Sequence, residues 1–348
     1  MTRVAVTGGT GFVAGWCIVD LLAAGFEVVA TIRNPGREAE VRAGVERESG
    51  DQSRLSFALA DLTTEDSWVA AMDGCELALH TASPLSDAGL GDTALIAAAV
   101  EGTRRVLDAA AQAGVRRVVV TSSCAAATPH HSQLSGTVDE TQWTDADEEG
   151  LAAYRRSKVV AERAAWEWAD ANRAVELATI LPAAVFGPAL TAASLGSLQL
   201  IAALLDGSAI AIPRLGFEIV DVRDIAIAHR LALTVAEAAG QRFITAGELM
   251  WFDEIAETLR AALGDAGSRI PTERLSDDDF RAVAAVAPAR ATLLPLLGRA
   301  LRHDASKARS VLGWQSRPAT ETVVDSARSL IELGPRAAVD VPPATPEP

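Results

Sequence analysis

The chain has 348 residues, 49% of them apolar and 22% charged, with a formal net charge of −15 at pH 7. This composition excludes disordered and fibrous proteins, and the length allows two domains or one large α/β domain with an elaborated lobe. The acidic balance argues against binding nucleic acid or an anionic membrane, both of which need a basic surface.

Residues 3–7 (RVAVT) form a short apolar run that ends in glycines, and Phe12–Ala24 reads as an amphipathic helix. Residues 27–32 (EVVATI) are β-branched and apolar, bounded by Gly25 and the turn Asn34-Pro35-Gly36. Strand, glycine turn, helix and strand within about thirty residues make a βαβ unit. The turn Thr7-Gly8-Gly9-Thr10-Gly11-Phe12-Val13-Ala14 carries the spacing of a dinucleotide site. Gly8 makes the tight bend, Gly11 admits a pyrophosphate close to the backbone, and Ala14 lets helix and strand pack closely. Free N–H groups and the positive end of the helix face the phosphates. Cofactor contacts are therefore expected from Thr7, Gly8, Thr10, Gly11, Phe12 and Val13. At the end of the second strand an NAD site usually places an acid for the ribose hydroxyl. Here Ile32 is followed by Arg33. Arginine pairs well with phosphate, so the cofactor is expected to be NADP (NADPH), with Asp61 and Leu62 near the adenine.

Further strands are predicted at 55–59, 76–80, 116–121 and 175–181, with helices at 91–112 and 151–171. Alternating strands and helices imply a parallel sheet covered on both faces. The uncharged stretch Leu177–Leu205 is cut by Pro182, Gly187, Pro188 and Gly196 into pieces too short to span a bilayer. After residue 182 the alternation weakens. A strand and helix return at 217–239, and 276–302, which holds Pro288 and Pro295, reads as two or three short helices. The expected architecture is an α/β, Rossmann-type doubly wound parallel sheet with a smaller C-terminal substrate lobe. Residues 1–181 form the cofactor domain and 182–334 mainly the lobe, with 217–239 returning to the first domain. The proline-rich tail 335–348 is expected to be disordered.

The chain holds a single tyrosine, Tyr154, and only two lysines, Lys158 and Lys307. Tyr154 and Lys158 stand four apart on a predicted helix and share one face. A free tyrosine titrates near pH 10, too high for efficient proton transfer at neutral pH, and a nearby ammonium stabilises the phenolate. The strand Val118–Thr121 leads into Ser122 and Ser123, whose hydroxyls stand where parallel sheets bind ligands.

With these residues in hand, the chain resembles the extended short-chain dehydrogenase/reductase family, in its dihydroflavonol 4-reductase and cinnamoyl-CoA reductase-like branch. The likeness runs from Val4 to about Gly334 through TGGTGFVAG, ATIRNP, DLTTEDSW, LALHTASP, VVVTSSCAAA, AYRRSKVVAERAAW, LPAAVFGP and VDVRDIAIAH. It implies Ser123, Tyr154 and Lys158 as the catalytic set, Arg33 as the NADP-discriminating residue, and Thr81, Ala82, Ser83, Pro182 and Ser197 beside the cofactor. Where plant dihydroflavonol reductases have an asparagine in the substrate site this chain has Thr128. Where they carry a basic residue near the cofactor phosphate it has Glu40, with Arg37 and Arg42 nearby.

The loop residues expected at the substrate are apolar or small, Pro84, Leu85, Ala126, Phe186 and the segment 190–195, with Thr128 and His130 near the mouth. The expected reaction is NADPH-dependent reduction of a small apolar or aromatic aldehyde or ketone. Two alternatives are a nucleotide-sugar epimerase or dehydratase that retains NAD and a non-catalytic NADP-sensing regulator. The five histidines form no HExxH pattern, so no metal site is expected. The acidic run 139–149 is expected to be a solvated loop. Cys17, Cys75 and Cys124 are dispersed and fit a reducing compartment. Glycines interrupt the opening MTRVAVTGGTGF where a signal peptide needs an apolar stretch, so a cytoplasmic protein is expected, either a monomer or a homodimer.

Overall fold

A computed structural model of the chain describes residues 1–50, 52–64, 67–84, 91–192 and 195–334. The expected disordered tail and the candidate Leu85 lie outside them. Strands β1 (Arg3–Val6), β2 (Glu27–Ile32), β3 (Leu55–Leu59), β4 (Leu77–His80) and β5 (Arg117–Thr121) alternate with helices α1 (Phe12–Ala23), α2 (Glu38–Ser49), the short α3 (Trp68–Ala71) and α4 (Asp92–Gln112). There follow β6 (Ser135–Val138), α5 (Ala153–Ala171), β7 (Glu176–Pro182), β8 (Ala184–Phe186), α6 (Gln199–Asp206), β9 (Gly216–Asp221), α7 (Val222–Thr234), β10 (Gln241–Thr245), β11 (Leu249–Trp251), α8 (Phe252–Leu263), α9 (Asp277–Val286), α10 (Pro288–Ala291), β12 (Ala300–His303) and α11 (Ala319–Glu332).

The main sheet has seven strands among the described residues, in the order β10-β7-β5-β4-β1-β2-β3, every pairing parallel. Its strands are apolar because both faces are covered. Val4 and Val6 of β1 join a core with Ile18 and Leu21 of α1 and Ile225 of α7. Ala5 between them faces the other way, into a core with Leu107 of α4 and Ala165 of α5. A period of two thus sends alternate side chains into two separate cores. Helices α4 and α5, apolar enough to suggest pairing across a dimer, contribute Leu107, Ala110, Ala165 and Trp168 to the core on their own sheet.

A third core lies beyond β7. Phe186, Phe217 and Phe252 meet edge to face, at centroid distances of 6.4 and 6.0 Å, around Leu198, Ile201, Ile219 and Leu259. There β8 runs parallel to β9, and β11 antiparallel to it. Arg223 of α7 bonds Asp221, which caps that helix, and also Asp325 of α11, so the last helix is tied to the sheet side. No helix among the described residues is long and apolar enough to cross a membrane.

Two local expectations change. The segment 276–302 forms short helices only as far as residue 296, and its end becomes strand β12, which pairs with β6 in a two-stranded parallel ribbon. Ser-Gly-Thr-Val at β6 has weak strand propensity, so it extends only because a distant segment supplies the partner. The acidic run 139–149 is not simply solvated. Glu148 is 6% exposed, and a Glu140 carboxylate oxygen accepts the Ile244 N–H at 2.9 Å.

Candidate active site

Gly8 adopts a φ of +71°, and a Cβ there would stand 3.0 Å from Ala82 Cα. Gly9, which the dinucleotide spacing does not require to be glycine, is as constrained, since a Cβ would come within 2.9 Å of the Ala30 Cβ. The turn therefore passes against β2 and the loop after β4 with no room for side chains. At Gly11, the N-cap of α1, no side chain caps the helix, and no acid stands in its first turn. Its leading N–H groups thus lack an intramolecular anion, which is what a pyrophosphate would replace. The cradle fits a dinucleotide. Thr10, Phe12 and Val13 are half-buried beside it. Thr7 corrects the expectation, because it is 0% exposed. Its Oγ1 contacts His80 Nδ1 at 2.9 Å and accepts the Ala82 N–H at 3.0 Å, so it joins β1 to the loop after β4 and does not face a ligand. Thr81 donates its hydroxyl to the Thr7 carbonyl.

Arg33 stands exposed at the end of β2, with no ion pair among the described residues. Arg37 and Arg42 are engaged, with Glu40 at 2.5 Å and Glu38 at 2.9 Å, so Glu40 is neutralised by its own neighbour. Asp61 closes a turn by accepting the Thr63 N–H and hydroxyl at 2.9 and 2.8 Å. Burial opposes its ionisation, but these bonds and the charge of Arg33 prevail and hold the carboxyl below the usual aspartate range. Leu62 lies against Gly102 of α4, where a Cβ would come within 3.1 Å of it.

Helix α5 carries Tyr154 and Lys158 on one face, with the Lys158 Nζ 5.7 Å from the Tyr154 ring centroid. Tyr154 is 39% exposed, and its hydroxyl bonds no described residue, so it is open to a ligand. The helix is fixed from below by Glu162, which is 1% exposed. The Glu162 carboxylate accepts from Arg242 at 2.8 and 3.1 Å, from Ser122 at 2.6 Å and from Thr179 at 2.9 Å. Adjacent serines thus separate by the alternation of extended backbone. Ser122 points into the buried network, while Ser123 accepts the Ala125 N–H at 3.1 Å and keeps its own hydroxyl proton free to donate.

Ser123 and Tyr154 line one cleft of about 460 Å³, together with Thr128, Pro182 and Ser197. Ser197 donates its hydroxyl to the Val185 carbonyl. Lys158 lines a narrower adjoining cleft with Ala82, Ser83 and Pro84. Beneath that cleft His80 is driven down to about 3 by burial and then by the charge of Lys158, so it is a neutral imidazole.

Several expected substrate residues are displaced. Phe186 is 1% exposed, because its ring belongs to the third core and not to the cleft. Ala126 is 0% exposed. His130 does not line the cleft; its ring lies on the outer side of the loop, 4.0 Å from that of His131. The possible donor atoms of His130, His131 and Glu148 lie within 4.8 Å of one another. The charge of Arg155, which already acts on Glu148, opposes a cation there. The wall of the cleft includes residues that the sequence did not single out, namely Arg155, Phe217, Glu218, Leu249, Leu296, Arg299, Leu301 and His303. His303 Nδ1 meets Glu218 Oε2 at 2.5 Å, and its Nε2 meets Thr128 Oγ1 at 3.0 Å. The position of Arg155 beside Tyr154 was the one signal for these residues in the sequence.

A family model described as the NAD dependent epimerase/dehydratase family matches residues 4–246. Cinnamoyl-CoA reductase 2 of Arabidopsis thaliana is 33% identical over 335 residues, covering 95% of this chain and 93% of that protein. A ketoreductase of Aspergillus niger is 33% identical, covering 95% of this chain and 98% of its own length. Among solved structures, the yeast methylglyoxal/isovaleraldehyde reductase complexed with NADPH superposes with a TM-score of 0.78 at 26% identity, covering 95% of this chain and 98% of that one. The glycine turn, the Ser123, Tyr154 and Lys158 positions and these likenesses agree, and the chain belongs to the NAD dependent epimerase/dehydratase family of extended short-chain dehydrogenases/reductases, in the branch of the dihydroflavonol 4-reductases and cinnamoyl-CoA reductases.

Proposed function

We propose that this chain is an NADP-dependent oxidoreductase that reduces an aldehyde or ketone to the alcohol, with Tyr154 as general acid. The observation that carries the reading is the opening of Ser123 and Tyr154 onto one cleft while Lys158 lies 5.7 Å from the tyrosine ring. NADPH supplies the hydride when bound. The Ser123 hydroxyl and the Tyr154 phenol both donate to the substrate carbonyl oxygen and polarise the carbon toward attack. Tyr154 gives up its proton to that oxygen as the alcohol forms. The Lys158 ammonium stabilises the resulting phenolate until a proton from solvent restores it. Gly8, Gly9 and Gly11 would seat the pyrophosphate of the bound cofactor, and Arg33 would meet its 2′-phosphate.

Phe217, Leu249, Leu296 and Leu301 make much of the cleft wall apolar, which favours aryl or medium-chain carbonyl substrates by the burial of hydrocarbon. The test is NADPH oxidation against a panel of aldehydes and ketones, with the co-purifying dinucleotide identified. Turnover of aryl and medium-chain members ahead of glyoxylate is expected. Protein that carries NAD and turns over no carbonyl compound would overturn the reading in favour of an epimerase or dehydratase.

A further inference from the structure

The cleft holds charge that the proposed reduction does not use. Arg155 follows Tyr154 on α5, lines the cleft, and makes no hydrogen bond or ion pair with any described residue. Its Nη2 is shut off from solvent with no acceptor. Arg299, 5% exposed, lines the same cleft. It donates to the carbonyls of Gln133, Pro129 and His130 at 3.0, 3.0 and 3.3 Å, and meets no carboxylate among the described residues within ion-pair distance. Burial, and then the charge of Arg155, holds the Arg299 guanidinium below its ordinary range, so the two cations share one half-buried space. The carboxylate that acts on both is Glu148, whose Oε1 is bonded to His131 at 2.7 Å and whose buried Oε2 has no partner, yet it stands within ion-pair distance of neither guanidinium. In a chain with a net charge of −15, carboxylates are not scarce, yet none among the described residues comes within ion-pair distance of Arg155. Arg155 is thus a half-buried cation with no acceptor, and such a group costs stability unless a ligand completes it.

We propose that Arg155, backed by Arg299, binds an oxyanion carried by the carbonyl substrate, a carboxylate or phosphate, while the carbonyl lies at Tyr154. The inference rests on the reductase reading and narrows its substrate class to anionic aldehydes and ketones. A guanidinium matches either oxyanion through paired N–H donors.

The test compares each acid with its methyl ester, using the positional isomers of carboxybenzaldehyde and unbranched ω-oxo acids of increasing length, with formylphenyl phosphate as the phosphate arm. At least one anionic member should exceed its neutral partner in kcat/KM by about ten- to a hundredfold, mainly through KM. The ratio should collapse in Arg155→Met and survive in part in Arg155→Lys, and turnover of the ester by either variant shows that it is folded. Benzoate should also inhibit the wild type more strongly than benzyl alcohol, a measure that needs no variant. Esters reduced as well as their acids, or a preference unchanged by Arg155→Met, would overturn the subsite and leave the reductase standing. Failure of every member, neutral or charged, to oxidise NADPH would overturn the reductase reading and the subsite with it.

Discussion

Four side chains are positioned so that single substitutions separate their roles. Tyr154→Phe keeps the ring and removes the one phenol in the protein. Turnover should fall at least about a hundredfold with NADPH affinity nearly unchanged, and near-normal turnover would remove Tyr154 as the acid. The adjacent serines should divide cleanly. Ser123→Ala should lower kcat with little change in the unfolding midpoint. Ser122→Ala takes away a 2.6 Å donor to the buried Glu162 and should cost about 1–3 kcal/mol of stability. If both variants lost only activity, the division drawn from the hydrogen bonds would be wrong. At Arg33, reversal to Asp should weaken NADPH by about ten- to a hundredfold and spare NADH, because the glycine turn is untouched. Wild-type protein that used NADH as well as NADPH would return Arg33 to being a surface arginine.

At the scale of elements, helix α5 must bring Tyr154 to the end of β5 and keep it there. Four residues beyond Lys158, Glu162 does this by accepting from Ser122 after β5, from Thr179 on β7 and from Arg242 on β10. Arg242 also donates to the Glu140 and Gln142 carbonyls and stacks 3.6 Å above the Trp143 ring centroid, which binds the loop before α5 to the sheet edge. Glu162→Ala would leave the Arg242 guanidinium, itself 8% exposed, without its carboxylate. Loss of about 3–5 kcal/mol is expected in urea unfolding, and a change under about 1 kcal/mol would show that water replaces the carboxylate readily. The sequence marked Tyr154 and Lys158 through their i, i+4 spacing. It could not mark Glu162, because the partners that make it indispensable come from other elements.

For the whole molecule, two buried histidines set an acid limit. His80 lies on the α4 and α5 side of the sheet, against Thr7 and Thr103, and His229 on the α7 side, against Thr121 and the Ile225 carbonyl. Burial drives both below the ordinary 6.5, His80 to about 3 with help from Lys158 and His229 to about 4 against the Ile225 hydrogen bond. The folded chain therefore binds fewer protons than the unfolded chain below pH 6.5, and stability must fall with pH through that window. Each histidine contributes a slope of about 1.4 kcal/mol per pH unit, fully expressed between the unfolded and folded values. Urea unfolding followed from neutral pH to about pH 5 should show this decline, and His80→Gln should remove about half of it. A stability independent of pH over that range would mean that the imidazoles reach water in the folded state.

What the sequence determined by itself was whatever depends on neighbours along the chain. The βαβ start and its glycine turn follow from steric limits within a few residues, and the doubly covered sheet follows from apolar runs such as Leu77–Leu79 and Val118–Val120, which only burial on both faces accommodates. The Tyr154 and Lys158 pair follows from the helical period. The tertiary structure alone decided which face each residue took. It placed Phe186 in a core and Thr7 beneath the turn, where the loop and the glycine-turn motif had suggested ligand contacts. It paired Ser135–Val138 with Ala300–His303, segments separated by nearly half of the chain. It also brought Arg155 from α5 and Arg299, just before β12, into one cleft with Tyr154. Such meetings depend on chain segments far apart in sequence, and no local period or propensity records them, because their energy exists only once the sheet and lobe have closed on each other.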